Sequence, residues 1–246
     1  MQSKYRHTSE DLFEIAEKIM ADKSFLKGLP KLQKDPFDAA FHNIEKTFIV
    51  AVAASASSYQ DKDAGMELGT MEACLKLACS GARFLASTDA GGLPIKVMGI
   101  VDSEQAKTPM CFQDKGETIY LLAADHENLM DIQKTTLAIE KAQAKGAITA
   151  AHCISQDKGL FASLIECAYP EELGFDITTD SEIEEIDFLY GDCRHQVIVT
   201  VNGEQEDEFV DLMFNHGVRT TLLGHVTKGE LRIDDESYGF IDELEA

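Results

Sequence analysis

The sequence predicts an α+β (mixed α/β) fold built as two domains. Stretches of strand character alternate with stretches of helical periodicity from about residue 117 onward, and 246 residues are enough for two modest domains, each burying its own core. The run 148–178 carries the pattern most clearly. A short apolar strand at 148–151 follows Gly146 and breaks into a polar loop from His152 to Lys158. After Gly159 the chain resumes as a helix, with Leu160, Phe161, Leu164, Ile165 and Ala168 at helical spacing and Pro170 closing it. Loops so placed commonly carry function, and the unpaired N–H groups and dipole of a helix start favour an anion.

Taken in order, residues 8–27 read as a helix capped by Thr8 or Ser9, with Leu12, Phe13, Ile15, Ala16, Ile19 and Met20 as its apolar face. A second helix is expected from Asp35-Pro36, a cap followed by a first-turn proline, carrying Phe37, Ala40, Phe41, Ile44 and Phe48. A third spans 67–79 with Leu68, Met71, Leu75 and Ala78 inward. Strands at 82–87 and 95–101 flank Thr88-Asp89-Ala90-Gly91-Gly92-Leu93-Pro94, which reads as a turn or, in its functional alternative, as a phosphate-cradling glycine loop. Beyond a boundary near 109–115 come a strand at 117–123, a helix at 128–145 and the central strand-loop-helix. A strand at 174–178, an acidic segment at 180–187, a strand at 196–201, a helix at 204–216 and strands at 220–226 and 230–233 follow. This order fits a mixed sheet covered by helices.

Composition limits the partners. Asp and Glu number 44 against 22 Lys and Arg, a formal charge of −22, so nucleic acid is repelled and is not expected as a partner. No apolar run is long enough to span a bilayer and the first residues lack an apolar export segment, which gives a cytoplasmic expectation with no membrane partner. Six cysteines (Cys74, Cys79, Cys111, Cys153, Cys167, Cys193) without a C-x-x-C pair read as reduced core thiols.

Three motifs then point to one family. Ala151-His152-Cys153-Ile154-Ser155-Gln156-Asp157-Lys158-Gly159-Leu160 resembles A-H-D-x-S-D-G-G-L. Phe188-Leu189-Tyr190-Gly191-Asp192, leading into Val197-Ile198-Val199-Thr200-Val201, resembles F-G-E-x-x-G-R-V-V-V-x-V. Thr221-Leu222-Leu223-Gly224-His225-Val226-Thr227 is similar to T-x-I-G-x-V-T. All three belong, in this order, to the phosphoribosylformylglycinamidine synthase and aminoimidazole ribonucleotide synthetase family, and together they are specific where each alone is weak. The resemblance implies an aminoimidazole ribonucleotide synthetase-like fold of two domains, 1–112 (divergent) and 113–246. It also implies ATP and Mg²⁺ as cofactors, a homodimer formed through the first domains, and amidine formation on formylglycinamide ribonucleotide. In that reaction ATP phosphorylates an amide oxygen and ammonia displaces the phosphate. A separate glutaminase partner would supply the ammonia.

On the same resemblance, His152 is the catalytic candidate, and Ser155, Asp157, Lys158, Gly159, Gly191, Asp192 and Arg194 are candidates for substrate binding. Each also has an ordinary reading: His152 as a strand-end histidine, Asp157 as a helix cap, Arg194 paired with a carboxylate. The chain departs from the pattern where it matters for phosphate. Cys153 stands for the family's Asp, Lys158 for the first glycine of its pair, and His195-Gln196 for Gly-Arg. The glycine turn of the first domain is replaced by Ala86-Ser87-Thr88-Asp89. A synthase that has lost catalysis is therefore expected, with a non-catalytic binding or assembly module as the alternative. The altered loops also gain His152, Cys153, Cys193 and His195, a chemically sensible tetrahedral zinc set against the default of reduced core thiols.

Overall fold

The computed structural model describes residues 37–44, 48–55, 62–87, 95–124, 128–154 and 159–243. The helix expected at 8–27 and the glycine loop at 88–94 lie outside these residues.

The segment after Asp35-Pro36 is not helical. Ala40–Ile44 (β1) and Phe48–Ala54 (β2) form an antiparallel hairpin. Ile49, Val50 and Val52 are β-branched and sit easily on a pleated surface, and Val50 to Ala53 are all buried, so the segment is covered on both faces. Burial on both faces hides the alternation that marks a strand, and the aromatic spacing mimics a helix instead. Helix α1 (Lys62–Cys79) follows, then Arg83–Ser87 (β3) and Lys96–Val101 (β4). These strands make a four-stranded antiparallel sheet in the order β1-β2-β4-β3.

The second sheet has seven strands: Thr118–Ala123 (β5), Ala150–Cys153 (β6), Gly174–Ile177 (β7), Val197–Val201 (β8), Arg219–Thr227 (β9), Glu230–Ile233 (β10) and Glu236–Phe240 (β11). Their order is β11-β10-β7-β9-β5-β8-β6, antiparallel throughout except for the parallel β7–β10 pair, so the sheet is mixed as expected. Successive residues of a strand face opposite sides, and two cores result. Tyr120, Leu122, Val197 and Val199 face α1, α2 (Leu129–Ala144) and α5 (Glu206–Asn215). Ile119, Leu121 and Ile198 face α3 (Gly159–Ala168) and α4 (Glu185–Tyr190).

Strand β11 was not legible, because Glu-Ser-Tyr-Gly-Phe carries no apolar run. The two residues of its hairpin turn, Asp234 and Asp235, both have positive φ (49° and 68°), the backbone of a tight primed turn. The acidic stretch at 180–187 runs into α4, which buries Phe188 and Leu189. No helix among the described residues is long and apolar enough to cross a membrane.

Helix α1 serves both sheets. Ala73 and Leu77 pack on Ala51, Ala53 and Val97 of the first, while Leu75, Ala78 and Cys79 enter a core of the second. Its exit is fixed by Gly81, at φ 82°, where an added Cβ would lie 2.0 Å from the carbonyl oxygen of Ala106. We predict that Gly81→Ala destabilises the fold by on the order of 2–4 kcal/mol. A denaturant midpoint equal to that of the unmodified protein would contradict this.

Candidate functional site

Strand β6 runs two residues further than its apolar core suggests, so His152 and Cys153 belong to the strand and not to the loop. Both are buried, and neighbouring strand residues point to opposite faces. His152 meets Asp38, just ahead of β1: its Nδ1 lies 2.7 Å from Asp38 Oδ1, and the other oxygen of Asp38 accepts the backbone N–H of Cys153 at 2.6 Å. On the far side of the ring, Nε2 lies 3.5 Å from Glu166 Oε2 on α3.

Burial alone would lower the pKa of His152, but the charge of Asp38 and its hydrogen bond, with Glu166 behind, outweigh it and raise the value to about 9. At neutral pH the ring is an imidazolium. It can offer charge, a hydrogen bond or a proton, and it has no vacant nitrogen with which to act as a base. On α1, Lys76 Nζ lies 2.6 Å from Oε1 of the buried Glu72, and Lys76 itself is largely buried. Burial pulls the pKa of Lys76 down, and Glu72, Cys153 and Asp38 raise it above the usual value. Asp38, Glu72, Lys76, His152 and Glu166 thus form a line of alternating charges where the two sheets meet.

Sequence reasoning missed four of these five. The Glu72–Lys76 spacing is the legible signal, since i,i+4 opposite charges on an otherwise apolar helix face mark a pair. Glu166, polar within the apolar run Leu164-Ile165-Glu166-Cys167, is another. Asp38 gave no local signal, because its partner lies 114 positions away.

The other candidates divide. Ser155, Asp157 and Lys158 lie outside the described residues. Gly159 has φ 70°, and a Cβ there would come within 2.9 Å of Leu189 O, so it lets the start of α3 meet the end of α4. Gly191 caps α4, its N–H donating to Asp187 O at 3.0 Å. Arg194 is turned onto Asp192: Nε donates to both carboxylate oxygens at 2.9 and 2.8 Å, and Nη2 reaches Oδ2 at 2.5 Å.

The zinc set is not assembled. Cys153 lies in the core on one face of the large sheet and Cys193 in the core on the other, while Nε2 of His195 meets Leu68 O on α1 at 3.3 Å. Among the described residues no three His, Cys, Asp or Glu side chains are arranged to hold a metal ion. The six cysteines are free thiols.

His195 has φ 60° and is buried. A left-handed backbone comes more easily to glycine, the residue the motif would place there, and the His195 ring contacts α1.

No protein-family model matches the chain. The phosphoribosylformylglycinamidine synthase subunit PurL of Carboxydothermus hydrogenoformans is 32% identical over 197 residues, covering 67% of this chain and 27% of its own. The same subunit from Streptomyces avermitilis is 24% identical over 164 residues. The chain belongs to the PurL family, related to aminoimidazole ribonucleotide synthetase. It spans about a quarter of the length of these PurL relatives (27% and 22%). Among solved structures, Thermotoga maritima PurL complexed with ADP superposes with a TM-score of 0.72 at 12% identity, covering 94% of this chain and 51% of that one. Thiamine-monophosphate kinase from Stenotrophomonas maltophilia gives a TM-score of 0.56 at 15% identity and is covered over 97% of its length. Both show the fold alone, the second in a chain of matching size.

The His152 pair fixes a pH dependence. Its folded pKa of about 9 exceeds the ordinary 6.5, so its contribution of about 3 kcal/mol is present in full below pH 6.5 and is lost as pH rises through 9. We predict a melting temperature that falls across this window. In Asp38→Asn the fall is absent and stability is lower at neutral pH. Parallel pH profiles for the two proteins would contradict the assignment.

Proposed function

We propose that this chain is a PurL-lineage protein of purine-biosynthesis ancestry that keeps the fold and no longer makes amidines, acting as a non-catalytic binding or assembly module. The observation that carries this reading is Arg194, whose guanidinium is folded onto Asp192 by three hydrogen bonds in the loop where the family motif grips phosphate. Two further features support it. His152 is held as a cation between two carboxylates, and a net charge of −22 opposes an anionic ribonucleotide. Residues 1–112 and 113–246 would then be divergent and conserved-fold domains of one cytoplasmic protein.

A second reading, retained amidine synthesis with ATP and a glutaminase partner, is favoured by the relatives. Solved structures from Thermotoga maritima include PurL complexed with ATP, PurL complexed with FGAR, and PurLQS. The two readings separate on turnover. With formylglycinamide ribonucleotide, ATP, Mg²⁺ and ammonia, the purified protein is expected to give no product above a no-enzyme control, and Mg²⁺ with ATP is expected to leave its melting temperature unchanged. Turnover, or a nucleotide-dependent rise in melting temperature, would overturn the proposal.

Association is also expected. Strands β1 and β3 are the outer strands of the four-stranded sheet among the described residues, and an open strand edge invites pairing. Sedimentation at micromolar concentration is predicted to give a homodimer, and a monomer would count against it.

A further inference from the structure

The sharpest unused feature lies at the β11 end of the large sheet. Thr179 donates to Asp234 through its backbone N–H at 2.8 Å and its hydroxyl at 2.5 Å, which ties the acidic segment before α4 to the β10–β11 turn. Helix α4 turns Phe188 and Leu189 inward and leaves Ile186 and Tyr190, four residues apart on one face, 69% and 59% exposed. Tyr238 on β11 is 52% exposed, and desolvation first, then the charges of Glu185, Glu236, Tyr190 and Asp234, hold its hydroxyl above the usual pKa. Among the described residues β11 has one strand neighbour, β10, so its outer edge presents backbone donors and acceptors.

This apolar cluster is rimmed by exposed Glu182, Glu184, Glu185, Asp234, Asp235 and Glu236. The nearby Arg232 is within ion-pair range of Asp176 and Asp235. An apolar patch beside an open strand edge suits an added strand, and the rim decides whose strand it is. A second copy meeting the patch about a two-fold axis would bring acid rim against acid rim, and nucleic acid or an anionic membrane would be repelled.

We propose that the α4–β11 surface docks an extended, lysine- or arginine-bearing segment of a partner protein, added as a strand alongside β11, with its apolar side chains on Ile186, Tyr190 and Tyr238. This deepens the reading of the chain as an assembly module by naming the partner's chemistry. Its test reads peptide binding, whereas that reading falls on turnover, so the two can fail separately.

The probe is a short fluorescein-labelled peptide alternating valine and lysine, followed by anisotropy on the full chain at about 0.15 M ionic strength, where distant charges are screened. Saturable binding is expected. Ile186→Ser with Tyr238→Ser, which leaves net charge unchanged, should weaken it roughly tenfold or more. Tyr238→Ser alone should weaken it less, and serves if the double variant folds poorly. Glu204→Gln with Asp207→Gln, which removes acid from the start of α5, should leave it unchanged. A peptide with glutamate for lysine, or one N-methylated along its backbone, should not bind. Equal affinity for the serine variants and the unmodified protein, loss of binding in the α5 variant, or tight binding of the N-methylated peptide would each overturn the proposal. So would self-association that disappears in Tyr238→Ser.

Discussion

The arrangement depends on one buried carboxylate. Asp38 spends both oxygens on β6, one on the ring of His152 and one on the N–H of Cys153, and so ties the segment entering the four-stranded sheet to the edge of the seven-stranded one. Taking an aspartate and an imidazolium out of water costs several kcal/mol for each ion, and only close geometry with further hydrogen bonds offsets that cost. Here the distances are short, and Glu166 faces the remaining ring nitrogen. Removing one partner leaves a buried charge with nothing to balance it, which is why such pairs specify an arrangement more strictly than apolar contact does. Helix α1 completes the junction by placing Ala73 and Leu77 on one sheet, Leu75, Ala78 and Cys79 on the other, and the Glu72–Lys76 pair beside Asp38 and Cys153.

Much of the fold was legible because the second sheet follows local rules. Asn128 caps α2 through its side chain, Gly146 turns the chain at φ 70° after it, and β5 and β8 stand where apolar β-branched runs occur. What misled was burial on both faces. Residues 48–54 lose alternation when neither side meets water, and the aromatic residues before them imitate a helix. At the loops, two of the motif residues have a structural reason of their own. Gly159 and Gly191 are required by close backbone approach, with Cβ distances of 2.9 and 2.2 Å. Asp38 could not be read locally, since its importance comes from a contact that only the folded chain creates.

The departures from the family pattern share a physical direction. Where the pattern has a glycine, His195 takes a left-handed backbone and makes a contact to α1. Arg194, a residue able to grip phosphate, is paired with Asp192 two residues away. Where α4 and β11 come together, Ile186, Tyr190 and Tyr238 stay exposed.

The central claim is that His152 is a buried imidazolium held by Asp38. Nitrogen-edited NMR of the histidine side chains across a pH titration measures it directly. The account predicts one ring that carries protons on both nitrogens at neutral pH and titrates near pH 9, and that disappears from the spectrum in His152→Gln. If no ring other than ordinary ones titrating near 6.5 is found, His152 is neutral in the folded protein and the charged bridge between the two sheets does not exist.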